Sequence, residues 1–278
     1  MHPFHSYGTI LMLLAALDPA APPRKARMSG FDWLPWRRPP PPIDDALWRE
    51  ALAACPQAQR LPPDGLARLR DLAARFLQRK RFHPIDMELD AKQRLLIAML
   101  ACLPVLRLGF RALRGWQGVV VYPGEFRVRH RHYDGSTGVI TESDQIRIGE
   151  AWQIGPLVLS WAAIEHDLAQ PWTGSNVVVH EIAHKLDMLD GPPDGVPPLP
   201  RGVSWRGWID TFQRAYDRLS LAVRRGEATP IDAYAATNPG EYFAVVSELH
   251  FSDPRRLEWA EPGVAALLRC YYGDSPAS

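Results

Sequence analysis

The sequence has little cysteine, almost no net charge and no long hydrophobic run, and each shortage narrows what the chain can be. Its three cysteines, Cys55, Cys102 and Cys270, stand far apart with no C-x-x-C pair. That spacing disfavours a disulfide framework and a thiolate zinc cage, and suits a reducing, cytoplasmic compartment. Lys and Arg total 32 against 31 Asp and Glu, a net charge of +1. The global basic field that grips nucleic acid or an anionic membrane is therefore missing, and neither is an expected partner. The apolar run near the start, Ile10 to Leu17, is far shorter than the roughly 20 residues a membrane-spanning helix needs. It also makes a poor signal peptide, with no Lys or Arg before it and an unconvincing cleavage site in Asp18-Pro19-Ala20. Met28 offers a second start, which would make residues 1–27 an upstream extension.

What is present is globular. Hydrophobic residues make up 46% and charged residues 23% of 278 positions, enough to bury a core, which excludes a wholly disordered chain, a coiled coil or a collagen. Arg37-Arg38 followed by Pro39 to Pro42 favours an extended arm, because consecutive prolines have no amides to donate. Residues 1–43 therefore read as a poorly ordered extension and arm, and folded structure starts near Asp44. From there to about residue 115 the pattern is helical. Leu66, Leu69, Leu72, Ala73, Phe76 and Leu77 recur at helical spacing, and Arg68, Arg75, Arg79 and Lys80 read as a solvated opposite face. Lys92 to Leu108 suits a buried helix interrupted at Pro104.

The period then changes. Short β-branched or aromatic runs at Val119–Tyr122, Phe126–His132, Val139–Thr141, Ile146–Ile148 and Leu157–Trp161 alternate with Pro-Gly, Asp-Gly and Gly-Pro turns, giving a small sheet. His130 and His132 share one strand face, but Arg127, Arg129 and Arg131 around them mark a solvated edge rather than a metal site. Helical patterns return at 162–169, 175–189, 205–225, 239–251 and 262–272. The expected fold class is α+β: residues 116–272 form a catalytic domain with a small mixed sheet, and residues 273–278 a tail.

One motif carries chemistry. Val177-Val178-Val179-His180-Glu181-Ile182-Ala183-His184 contains H-E-x-x-H inside an apolar-periodic helix. Four residues are a little over one turn, so His180 and His184 leave one face and can give two imidazole nitrogens to a single Zn²⁺. Glu181 is rotated about 100° from His180, the position of a general base rather than a ligand. A catalytic zinc needs a third protein ligand, and two residues compete. Asp190 lies six positions after His184, but Asp187 stands where that arrangement would use glycine to turn the chain. Glu241 is preferred. Asn238 can cap a helix with Pro239 at its first position, which puts Glu241 in the opening turn, and Glu248 two turns on is a carboxylate able to orient a histidine.

These residues resemble the Mlc titration factor A family, bacterial zinc metallopeptidases of the gluzincin type. The resemblance rests on His180 to Asp187, on Ile231-Asp232-Ala233-Tyr234-Ala235 and on Glu241-x-Phe243-Ala244-Val245-x-Ser247-Glu248, and extends more weakly over most of 33–272. Ile182 departs from the more usual Phe, and residues 1–27 have no counterpart. The resemblance implies a zincin-like core behind a helical N-terminal region. It implies one zinc per chain on His180, His184 and Glu241, Glu181 as base, and Tyr234 as the hydroxyl near the substrate oxyanion. It also implies aminopeptidase-like cleavage of a peptide or protein substrate, and binding of a transcription repressor of the Mlc type. A regulatory protein that sequesters a transcription factor, with a secondary zinc site, is the alternative; a zinc amide hydrolase for a non-peptide substrate is a third reading.

Overall fold

A computed structural model describes residues 39–124 and 155–276. Proline-started and capped helices come first among the described residues: α1 (Asp45–Ala53), whose N-cap Asp44 accepts two backbone N–H groups, the short α2 (Pro56–Gln59) and α3 (Pro63–Arg79). The apolar stripe of α3 buries Leu69, Leu72, Ala73 and Phe76 as its spacing predicts. The polar face departs from expectation at Lys80, just past the helix end. It is buried, donating from Nζ to the carbonyls of Leu113 and Trp116 at 2.6 and 2.7 Å, with the Trp116 ring 3.3 Å away. Next comes α4 (Ala91–Cys102), opened by a reciprocal capping box between Asp90 and Gln93. Every residue from Leu95 to Cys102 is buried, and a tighter turn through Pro104 ends the helix.

One expectation needs correcting. A strand, β1 (Arg81–Pro84), interrupts the stretch read as helical. Among the described residues the sheet has three strands, all parallel: β1 pairs with β2 (Gly118–Tyr122) and β2 with β3 (Leu157–Ser160). Central β2 places Val119, Val120 and Val121 in the interior, the continuous apolar run typical of a parallel strand covered on both faces. β1 left no such signal, since Arg-Phe-His-Pro neither alternates nor concentrates β-branched residues. The runs expected as strands at 126–132, 139–141 and 146–148, with His130 and His132, lie outside the described residues.

The second half is helical: α5 (Trp161–Ala169), α6 (Val177–Asp187), α7 (Trp205–Arg224), α8 (Pro239–Ser252), α9 (Pro254–Ala260) and α10 (Pro262–Tyr272). Helix α6 lays Val178, Val179, Ile182, Ala183 and Leu186 into the core and packs along α8, which is buried almost all round. One hydrophobic cluster joins residues from α1 through α10 and includes the apolar faces of α6 and α8. Among the described residues no helix is long and apolar enough to cross a membrane.

Candidate metal centre

The H-E-x-x-H helix begins at Val177, two residues after the start expected from its pattern. Asn176 caps it, its side-chain oxygen accepting the Val179 N–H at 3.0 Å. Asn238 does the same for α8, accepting the Glu241 N–H at 2.9 Å with Pro239 at the first helical position. Two capped starts on adjacent helices bring His180, His184 and Glu241 together. His180 Nε2 lies 3.1 Å from His184 Nε2, and Glu241 Oε2 lies 3.2 and 3.3 Å from these nitrogens.

That triangle suits a metal. Zinc binds nitrogen and carboxylate oxygen at about 2.0–2.1 Å, and two tetrahedral ligands at that distance stand about 3.3 Å apart. The three side chains are 15%, 12% and 4% exposed, so the donors converge in a site largely shielded from water. Among the described residues this is the one group of three or more His, Cys, Asp or Glu side chains placed to hold a metal ion. Asp190 is exposed and not part of it.

The electrostatics favour positive charge at the focus. Burial works against a proton on His180, but the Glu248 charge and hydrogen bonds to Glu241 and Glu248 outweigh it and raise its pKa well above the usual value. Burial likewise opposes ionisation of Glu241, yet hydrogen bonds from the two imidazoles hold its carboxyl well below the normal range. His180 turns its other nitrogen, Nδ1, to Glu248 Oε1 at 2.7 Å, which leaves Nε2 facing the cluster. Glu181 is half-buried, and its charge is felt by His180, Lys185 and Tyr234. Tyr234 is 39% exposed on a short turn before α8, its ring centre 6.3 Å from that of His180. Burial, then Glu241, Glu181 and Glu248, raise its hydroxyl pKa far above neutrality, so it is a donor at any physiological pH.

A buried acid that sequence reasoning passed over steadies the loop behind Glu241. Asp187, at the end of α6, accepts the Gly195 N–H on both oxygens at 3.1 and 2.9 Å. Gly195 has φ +82°, and a Cβ there would come within 2.8 Å of the Pro239 carbonyl, so the loop lies directly on the start of α8. Burial pushes the Asp187 carboxyl up to about 7 despite the Gly195 bonds, and Asp194 and Asp190 add to the shift. A raised folded-state pKa means the folded protein holds this proton between roughly pH 4 and 7 while the unfolded chain releases it. The contribution is complete below pH 4 and is lost as pH rises through 7. We expect thermal melts from pH 5 to 8 to show wild type losing stability relative to Asp187→Asn, by at most about 3 kcal/mol and all of it below about pH 7; parallel pH profiles would contradict this.

Comparison with known proteins points the same way. The sequence profile of the glucose-regulated metallo-peptidase M90 family matches residues 33–273. Mlc titration factor A of Escherichia fergusonii is 38% identical over 248 residues, covering 87% of this chain and 91% of its own length. The protein of that name from Klebsiella pneumoniae is 40% identical over 252 residues, covering 88% and 92%. An uncharacterised protein of Synechocystis is 37% identical over 253 residues, covering 88% and 90%.

Proposed function

Because this chain belongs to the glucose-regulated metallo-peptidase M90 family, we propose that it is a cytoplasmic zinc peptidase that hydrolyses peptide bonds, with aminopeptidase-like preference. The observation that carries this reading is the 3.1–3.3 Å triangle of His180 Nε2, His184 Nε2 and Glu241 Oε2 beside Glu181. In this reading His180, His184 and Glu241 hold one zinc ion per chain. Bound zinc would supply Lewis-acid polarisation of the scissile carbonyl and acidify a water molecule.

The chain's own residues do the rest. Glu181 takes a proton from the attacking water on its carboxylate and returns it to the leaving amine. Tyr234 donates from its hydroxyl to the developing oxyanion, a role that needs no ionisation. Strand β3, which among the described residues pairs only with β2 and lies against α6, is the edge to which an extended peptide would add. The test is zinc content by elemental analysis together with hydrolysis of an aminoacyl chromogenic substrate; a protein with one zinc and no hydrolysis of any peptide would end the enzyme reading. Tyr234→Phe is expected to lower kcat by about 100-fold with little change in KM or zinc content, the effect of losing one oxyanion donor. An unchanged kcat would remove Tyr234 from the mechanism.

The name of the relatives, Mlc titration factor A, favours a second reading, in which the chain binds a transcription repressor of the Mlc type. The two are separable. Binding does not need the Glu181 carboxylate, so a Glu181→Gln protein that still binds a repressor would show that the activities are independent.

A further inference from the structure

Two carboxylates from different helices, one buried and one partly buried, end on the same three residues, 175–177, where α6 begins. Asp167, on α5 and 3% exposed, accepts the Val177 N–H on Oδ2 at 2.7 Å and the Ser175 hydroxyl on Oδ1 at 3.0 Å. Glu248, on α8, accepts the Asn176 N–H on Oε2 at 2.7 Å and binds His180 Nδ1 through Oε1, also at 2.7 Å. The first N–H groups of a helix have no partner within it, and here Asp167, Glu248 and the Asn176 side chain supply three of them. Negative charge at this end is also favoured by the helix dipole.

Glu248 thus serves two masters one turn apart. If the start of α6 slid along its axis, the same carboxylate would have to release either the Asn176 N–H or the His180 ring. The His180 N–H in turn bonds to the Asn176 carbonyl at 2.9 Å, so displacement at residue 176 passes directly to the ligand's backbone. The loop is held from the α8–α9 side by Arg256, which donates to the Thr173 carbonyl at 3.0 Å. Gly174 packs there too closely for a side chain: a Cβ would meet Leu249 Cδ2 at 2.9 Å. From the α5 side the hold is Asp167.

We propose that Asp167 is a positioning residue for the metal centre, fixing the first turn of α6 against Glu248 so that His180 presents Nε2 to His184 and Glu241. The inference rests on reading those three residues as metal ligands.

Cobalt(II) tests it, because the visible absorption of the bound ion reports ligand geometry and not fold stability. The full-length protein is titrated with cobalt in competition with a chelator. Asp167→Ala is expected to bind cobalt about 10- to 100-fold more weakly and to shift its absorption band. Val177→Pro removes the N–H that Asp167 accepts at a helix position where proline is well tolerated, and is expected to do the same, so the test stands if Asp167→Ala does not fold. Asp167→Asn keeps an oxygen for Val177 and is expected to stay within about threefold of wild type, one side-chain hydrogen bond being conserved. Wild-type affinity and spectrum in a folded Asp167→Ala or Val177→Pro protein would overturn the proposal, as would an Asp167→Asn protein as weak as Asp167→Ala. A wild-type protein that bound no cobalt would overturn the metal-centre reading itself, and this inference with it.

Discussion

Glu181→Gln is expected to keep its zinc and lose about 10³-fold in kcat, within the range removal of a general base costs. Glu181 follows His180 on α6 and is not one of the three residues whose donor atoms converge. Glutamine has the same shape and can still accept a hydrogen bond, but it cannot take a proton at neutral pH. KM should therefore change little, because the site keeps its volume and its ligands while the transition state loses its proton acceptor. The measurement is zinc per chain beside kcat on an aminoacyl chromogenic substrate. A variant retaining a tenth of wild-type turnover would exclude Glu181 as the base, and one that lost its zinc would move Glu181 into the ligand set.

The parts of this site that were legible in the sequence are those written in local spacing. His180 and His184 share a helix face by periodicity alone, and Asn238 and Pro239 announce where the helix carrying Glu241 starts. Hidden were the links that join distant segments. Asp167 reads as an ordinary acid of a short helix, and nothing in its neighbourhood says that its carboxylate meets the N–H of Val177. Asp187 was legible as the residue that breaks a glycine-turn pattern, but its bond to Gly195 depends on a positive φ that only the folded loop reveals. β1 was missed because its pairing is carried by backbone groups, which every residue has, and its side chains are neither alternating nor β-branched. Lys80 was misjudged for a related reason: a lysine with two carbonyls and an indole face within reach can be buried, and those partners come from residues 113–116.

Glu241→Ala is expected to weaken zinc binding by more than about 100-fold, beyond the loss caused by removing an orienting hydrogen bond. The carboxylate is 4% exposed and sits within 3.3 Å of both imidazoles. Asp190, the competing candidate on sequence grounds, is exposed and outside the cluster, and Asp190→Ala should keep full zinc. Removal of the charge acts twice. It deletes one donor, and it takes away the negative charge that offsets the charge of a dication in a poorly hydrated site. Glu241→Gln separates the two effects, since it retains an oxygen donor without the charge; zinc affinity between those of wild type and Glu241→Ala would apportion them. The assay is competition with a chelator followed by elemental analysis. Full zinc in Glu241→Ala with loss in Asp190→Ala would reverse the ligand assignment, because the geometry at α8 would then be a hydrogen-bonded cluster and not a metal site.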